Sequence, residues 1–374
     1  MKRYQLLLAA LLLGVLSAFA FRVSDKMADF EVYWRGASRA AAAEPLYRAD
    51  DEHYRFKYLP AFAVLTIPLS VMPLPAAKIV WFTACVALLV LLISTSLRLL
   101  PERRQSATLL VLLAAVALGK FFGHELILGQ VNILFAVLAA MAFLAMKGRN
   151  ELLAGVLLGL TIAIKPYGVL FLPWLAARRQ VASVVGAVVT AGAIALLPVA
   201  IYGWSDTIAL HQAWWSTVSE TTPSNLVNPD NVSFASMWVK WLGAGTPATV
   251  LAVATSLAAL GAAVLVFVRR RGLAFPEALE GSLLLLLVPL LSPQGWDYVL
   301  LLAAPAVLLL ADYGDRLPTG MRAAAIVAAL TMGLSLFDVM GRTAYTAFME
   351  TAAISMCACV LIAAVCSLRL RRVA

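Results

Sequence analysis

Charge is scarce in this 374-residue chain: 13% of its residues are charged and 63% are hydrophobic. A soluble domain carries about 25% charged and roughly 45–50% apolar residues, so a water-soluble fold is excluded. No run of about ten residues alternates in the way a membrane barrel needs. Cysteine is limited to Cys85, Cys357, Cys359 and Cys366, all inside apolar runs, with no zinc spacing and no pair in a polar loop for a disulfide. They read as small core hydrophobes. Three scattered histidines argue against a histidine metal cluster. There is no phosphate-cradling glycine-rich loop and no GxSxG, so a nucleotide held in a P-loop or Rossmann site is not the energy source.

What is present is a succession of apolar runs of about 20 residues, the length that crosses ~30 Å of hydrocarbon. The fold class is therefore all-α, a polytopic membrane protein read as one domain over residues 1–374. The formal charge of +9 fits cytoplasmic loops enriched in Lys and Arg and calls for no nucleic acid. Seventeen of the 29 basic residues fall in short clusters between runs, from Lys2/Arg3 to Arg369/Arg371/Arg372, and these read as cytoplasmic. Seven more lie in 22–57, matched there by seven acids, so that loop can stand outside.

Counting between clusters gives twelve crossings with both termini inside: 4–21, 76–97, 106–122, 131–147, two short helices meeting at Lys165-Pro166, 181–203, 246–268, 277–291, 296–311, 321–340 and 348–367. The first run has the basic start and small-residue end of a signal peptide, but its spanning length makes it an anchor. Residues 58–73, interrupted by Pro60 and Pro68, would reverse every later loop if they crossed; they are expected to be re-entrant or interfacial. The break after Lys165 is of the kind that lines a cavity at membrane depth.

Polar chemistry collects on the outer side, in loops 22–57 and 204–245 and in the turns 121–132, 291–299 and 337–345. Phe30, Tyr33, Trp34, Ala37 and Ala41 follow helical spacing, with Glu31, Arg35, Ser38 and Arg39 largely opposite, which predicts an amphipathic interfacial helix. Asp29 starts it, where the plain structural role is an N-cap. The pair Asp29 and Glu31 also invites a metal reading, but residues two apart on a helix face different sides, so one such pair is a weak signal for a divalent cation. Lys165, alone among apolar residues, needs either a carboxylate on another helix or an anionic ligand. His124, Gln130 and Asn132 share one outer turn. The stretch 211–238 mixes tryptophans with Asn228, Asp230 and Asn231; rings and amides of this kind suit a sugar, and tryptophans also anchor interfaces.

Five stretches in order, "DFEVYWRGASRAAAAEPLY", "FKYLPAFAVLTIPL", "GQVNILF…IKPYGVLFLPWL", "NPDNVSF" and "LSPQGWDYVLLL", resemble glycosyltransferase family 87 of the GT-C superfamily, over roughly residues 20–310. The resemblance implies a membrane enzyme that takes a sugar, mannose above all, from a polyprenyl-phosphate donor on the extracytoplasmic side of a bacterial inner membrane. It implies inversion at the anomeric carbon, no cofactor and no metal, and a glycolipid or envelope glycan as acceptor. Asp29 matches the expected general base. Lys165, Arg35 and Lys57 are candidates for the donor phosphate. Glu31, Tyr33, His124, Gln130, Asn132, Asn228, Asp230, Asn231, Trp296 and Asp297 are candidates for sugar or acceptor contacts. One departure stands out: the turn after "SP", where a histidine is expected beyond the tryptophan, offers Asp297 instead. A transporter or flippase of a lipid-linked substrate is the alternative from another class, using the Lys165 break as a midplane site. An accessory subunit of an envelope-polymer assembly is a third.

Overall fold

In the computed structural model of the chain, residues 14, 17, 19–269 and 275–370 are described. Most of the expected first crossing at 4–21, and the clusters at Lys2/Arg3 and beyond Leu370, lie outside the described residues. Helices account for nearly all the rest; no strand forms among the described residues, and a single isolated bridge joins Asn231 to Trp296.

Among the described residues, four helices are long and apolar enough to cross a membrane: Leu74–Leu99, Ala107–Leu128, Thr246–Val268 and the segment Asp297–Arg316. Two bent pairs, Val181–Ala195 with Val199–Leu226 (95°) and Arg342–Glu350 with Ala353–Arg369 (53°), raise the number to six if each pair is one span. The apolar helices Pro60–Ser70, Asn132–Lys147, Glu151–Ile164, Pro166–Ala177 and Thr319–Leu334 are shorter. Among the described residues, length and composition thus identify up to six of the expected crossings; several apolar runs are cut short by proline or glycine.

The predicted amphipathic helix runs from Ala28 to Ala41 and buries Phe30, Val32, Tyr33, Gly36, Ala37 and Ala40. It packs on Pro60–Ser70, whose 11 residues rise about 17 Å, half a hydrocarbon core. Trp34 Nε1 donates to Met72 O across this pair at 3.0 Å. Lys78 Nζ, near the start of Leu74–Leu99, donates to Lys26 O at 2.9 Å and ties the loop down from the other side.

The Lys165 break forms as expected. Glu151–Ile164 ends at Lys165, whose backbone is extended, and Pro166 opens the next turn. Proline disfavours helical geometry in the residue before it, so the two helices separate there. The first of them packs tightly on Val181–Ala195: a Cβ on Gly155 would lie 2.3 Å from Ser183 O, and one on Gly159 would lie 2.7 Å from Ala187 O. Small residues four apart allow this backbone approach, the usual means of helix association in lipid.

The stretch expected as a second outside loop, 204–245, is mostly helix. Val199–Leu226 bends at Gly203, and Phe234–Leu242 follows, leaving only 227–233 irregular between them. That short irregular loop is sewn to the 292–297 turn: Val232 N donates to Gly295 O at 2.7 Å and Asp297 N to Asp230 O at 2.9 Å.

Candidate active site

Four of the five stretches expected outside, all but 337–345, line one cavity of about 1320 Å³. Single-ligand sites are roughly 300–1,000 Å³, so there is room for two substrates. Asp29, Lys57, His124, Gln130, Lys165, Asp230 and Trp296 line it.

Asp29 is not the cap of its helix. That position belongs to Met27, which adopts a left-handed backbone and whose N–H donates to Ile127 O at 2.8 Å. Asp29 stands in the first helical turn, where the backbone dipole favours a carboxylate. Its side chain is hydrogen-bonded by Gln130 instead. Burial raises its pKa above the ordinary aspartate value; the Gln130 hydrogen bond and the charges of Lys165, His124 and Lys57 act against that rise. Lys57 is pushed down by burial, an effect that Asp29 partly offsets.

Gln130 is the hub. Its Oε1 accepts from Tyr33 (2.9 Å), Tyr58 (3.0 Å) and Lys165 Nζ (3.3 Å), and its Nε2 donates to Tyr298 OH at 3.2 Å. The turn that presents it depends on Gly129, left-handed at φ 68°, where an added Cβ would lie 2.7 Å from Phe30 Cβ. Lys165 Nζ also donates to Asn132 Oδ1 at 2.8 Å, and Asn132 Nδ2 donates to the buried Glu125 carboxylate at 2.8 Å. Glu125 accepts from Ile133 N as well, satisfying a donor at the start of Asn132–Lys147. Lys165 is therefore held by two amide oxygens and flanked by the rings of Tyr58 and Tyr167 at 5.3 and 5.7 Å. Amides satisfy its protons without neutralising its charge.

A second group lies beside the first. His124 Nδ1 is 2.9 Å from Asp297 Oδ1, and Lys120 Nζ is 3.3 Å from Asp297 Oδ2. Asp230 accepts from Tyr345 OH at 3.0 Å; burial first, then Asp297, raises its pKa. Among the described residues, no group of three or more His, Cys, Asp and Glu has metal-holding geometry.

Several candidates stand elsewhere. Arg35 is exposed, pairs with Glu31 at 2.6 Å and lies over Tyr54, so neither member of that pair is on the cavity wall. Tyr33 and Asn132 are buried behind the wall and act through Gln130 and Lys165. Asn228 accepts from Asp230 N, and Asn231 joins Asn225 O to Pro293 O; both shape the loop rather than line the cavity. Asp297 is fully buried, behind His124. Its backbone is tied to the neighbouring loop by the bond from its N–H to Asp230 O.

Other residues of the site escaped sequence reasoning. Tyr58, Tyr167 and Tyr298 line the cavity, each directly after or one residue beyond a charged position already singled out, Lys57, Lys165 and Asp297. Lys120 carried a usable signal: an ammonium one helical turn from His124 in an apolar helix is costly unless paired. Trp214 and Trp215, from Val199–Leu226, complete the far wall.

No curated protein and no solved structure matches the chain at a significant level. The sequence profile of glycosyltransferase family 87 matches residues 56–293, which span Lys57, His124, Gln130, Lys165 and Asp230 and begin after Asp29. That match covers well over half of the sequence, and a helical membrane protein is the architecture it calls for. The chain belongs to glycosyltransferase family 87.

Proposed function

We propose that the protein is an inverting glycosyltransferase that moves a hexose, mannose in the first instance, from a polyprenyl-phosphate sugar to a hydroxyl of a glycolipid or envelope glycan. In this reading it is a twelve-crossing protein of a bacterial inner membrane, with both termini cytoplasmic and the site facing out. The observation that carries it is the convergence of Asp29, Lys57 and Lys165, from three separate stretches, on one cavity.

Inversion needs one base and one anion clamp. The acceptor hydroxyl attacks the anomeric carbon from the side opposite the phosphate and loses its proton to Asp29, which Gln130 holds in place. The C1–O bond breaks with its electron pair on the phosphate, whose growing charge meets Lys165 and Lys57. Ile164, Leu170 and Leu291 form apolar wall suited to the prenyl chain, and Trp214 and Trp215 offer ring faces to a sugar. No divalent cation takes part, because lysines meet the phosphate charge.

The test is transfer by purified protein from polyprenyl-phosphate mannose to a lipid acceptor. Asp29→Asn keeps the shape and the Gln130 contact but cannot take the proton; transfer should fall by about 10²–10⁴-fold. Full transfer by that variant sinks the base assignment. A chelator should leave the wild-type rate unchanged, and a rate restored only by added Mg²⁺ or Mn²⁺ would contradict the metal-free reading.

A further inference from the structure

The proposed chemistry leaves one cavity group unused. His124 sits on the wall, its side chain 30% exposed, with a fully buried carboxylate behind it. Asp297 Oδ1 is bonded to Nδ1 at 2.9 Å. An ionised carboxylate only accepts hydrogen bonds, so Nδ1 carries a proton and Nε2 is the edge left for the cavity. The ring also stands edge-on to Tyr298 at 5.2 Å, and Tyr298 OH is bonded by Gln130, the residue that holds Asp29. The charged groups around the imidazole are Asp297 on the 292–297 turn, Asp230 on the loop bonded to that turn, Lys120 one turn back on its own helix, and Asp29 across the cavity.

We infer that His124, oriented by Asp297, is the general acid of the transfer, acting as the imidazolium with both nitrogens protonated and giving its Nε2 proton to the departing polyprenyl phosphate, which leaves the neutral ring with its proton on Nδ1. The inference rests on the function proposed above. The donor is a phosphate diester with one negative charge, and the leaving group is a monoester that would depart with two. As the C1–O bond breaks, the Nε2 proton passes to a phosphate oxygen and the monoester leaves as a monoanion. The acceptor's proton resides on Asp29; it is then lost to water, from which His124 is reprotonated, so the cycle returns to its start. The match is chemical: a phosphate monoester has a second pKa of about 6 and imidazole one of about 6.5. Proton transfer between groups so matched works near neutral pH. Asp297 touches no substrate and is a positioning residue; Lys120 Nζ stands 3.3 Å from its other oxygen.

Two measurements test this on the full chain in detergent: kcat and KM for polyprenyl-phosphate mannose across pH, and thermal-shift titration with polyprenyl phosphate itself. His124→Gln retains a donor to Asp297. It should lower kcat by about 10²-fold or more with donor KM within about threefold, and should abolish the alkaline limb of the kcat profile. It should also weaken polyprenyl phosphate binding about tenfold. Asp297→Asn should lower kcat in the same sense, with KM unchanged. A His124→Gln enzyme with wild-type kcat and the same alkaline limb overturns the inference while leaving the proposed function standing. A wild-type protein that binds polyprenyl phosphate through His124 but transfers no sugar strikes the proposed function instead.

Discussion

Asp29 combines two demands that pull against each other. Burial raises its pKa, which makes it a better proton acceptor at neutral pH and a more expensive anion. A carboxyl with a raised native pKa binds more protons folded than unfolded, so its contribution to stability is present at low pH and lost as pH rises through the native value. Two outcomes follow. The acid limb of the transfer rate should fall at a pH above the ordinary aspartate value of about 3.9. Asp29→Asn, though impaired in transfer, should melt at a higher temperature than wild type at pH 7, and a lower melting temperature would refute the desolvation account. Lys165 makes a different prediction. Its charge is held by amide oxygens and left for a ligand, so Lys165→Met should raise the donor KM by about 10–100-fold, the worth of a hydrogen bond to a charged group. An unchanged donor KM would leave Lys165 a purely structural residue.

Among the elements, Glu151–Ile164 matters most, because it carries Lys165 at its end. Its position against Val181–Ala195 depends on Gly155 and Gly159, each pressed on the backbone of the facing helix. Gly155→Val should cost about 1–3 kcal/mol through overpacking. The helix would be pushed outward and Lys165 with it, so donor affinity should fall together with the melting temperature in detergent. A variant that melts early but keeps donor KM would mean the break holds Lys165 independently of the helix. The amphipathic helix and the Lys165 break were legible beforehand, since periodicity and a Lys-Pro step in an apolar run are local signals. The cap at Met27 was not: its left-handed backbone accompanies a bond to Ile127 O, on another helix far away in sequence.

For the whole molecule, orientation is the testable property. The site residues gather at one end of the bundle, whereas Arg104–Asp315, Arg178–Glu280 and Lys147–Phe275 pair basic clusters expected at the other. In a background whose four cysteines are replaced, Asp50→Cys and Ser224→Cys should react with an impermeant thiol reagent from outside, and Glu102→Cys only after the membrane is opened. The reverse pattern would invert the topology and move the cavity to the cytoplasm.

Composition, by itself, determined a helical membrane chain, and loop charge predicted its polar chemistry on one side, because both follow from the transfer of side chains between water and lipid. The resemblance carried by five ordered stretches added the family. Only the tertiary structure decided which polar residues share a cavity. Arg35 turned to Glu31, four residues away, and Asn231 to backbone carbonyls, while His124 met Asp297 across 173 positions of sequence. Helical periodicity states which face a residue occupies but not which other face it meets. That choice is made where prolines and glycines interrupt the spans, and where each buried polar group must find a partner or leave its charge for a substrate.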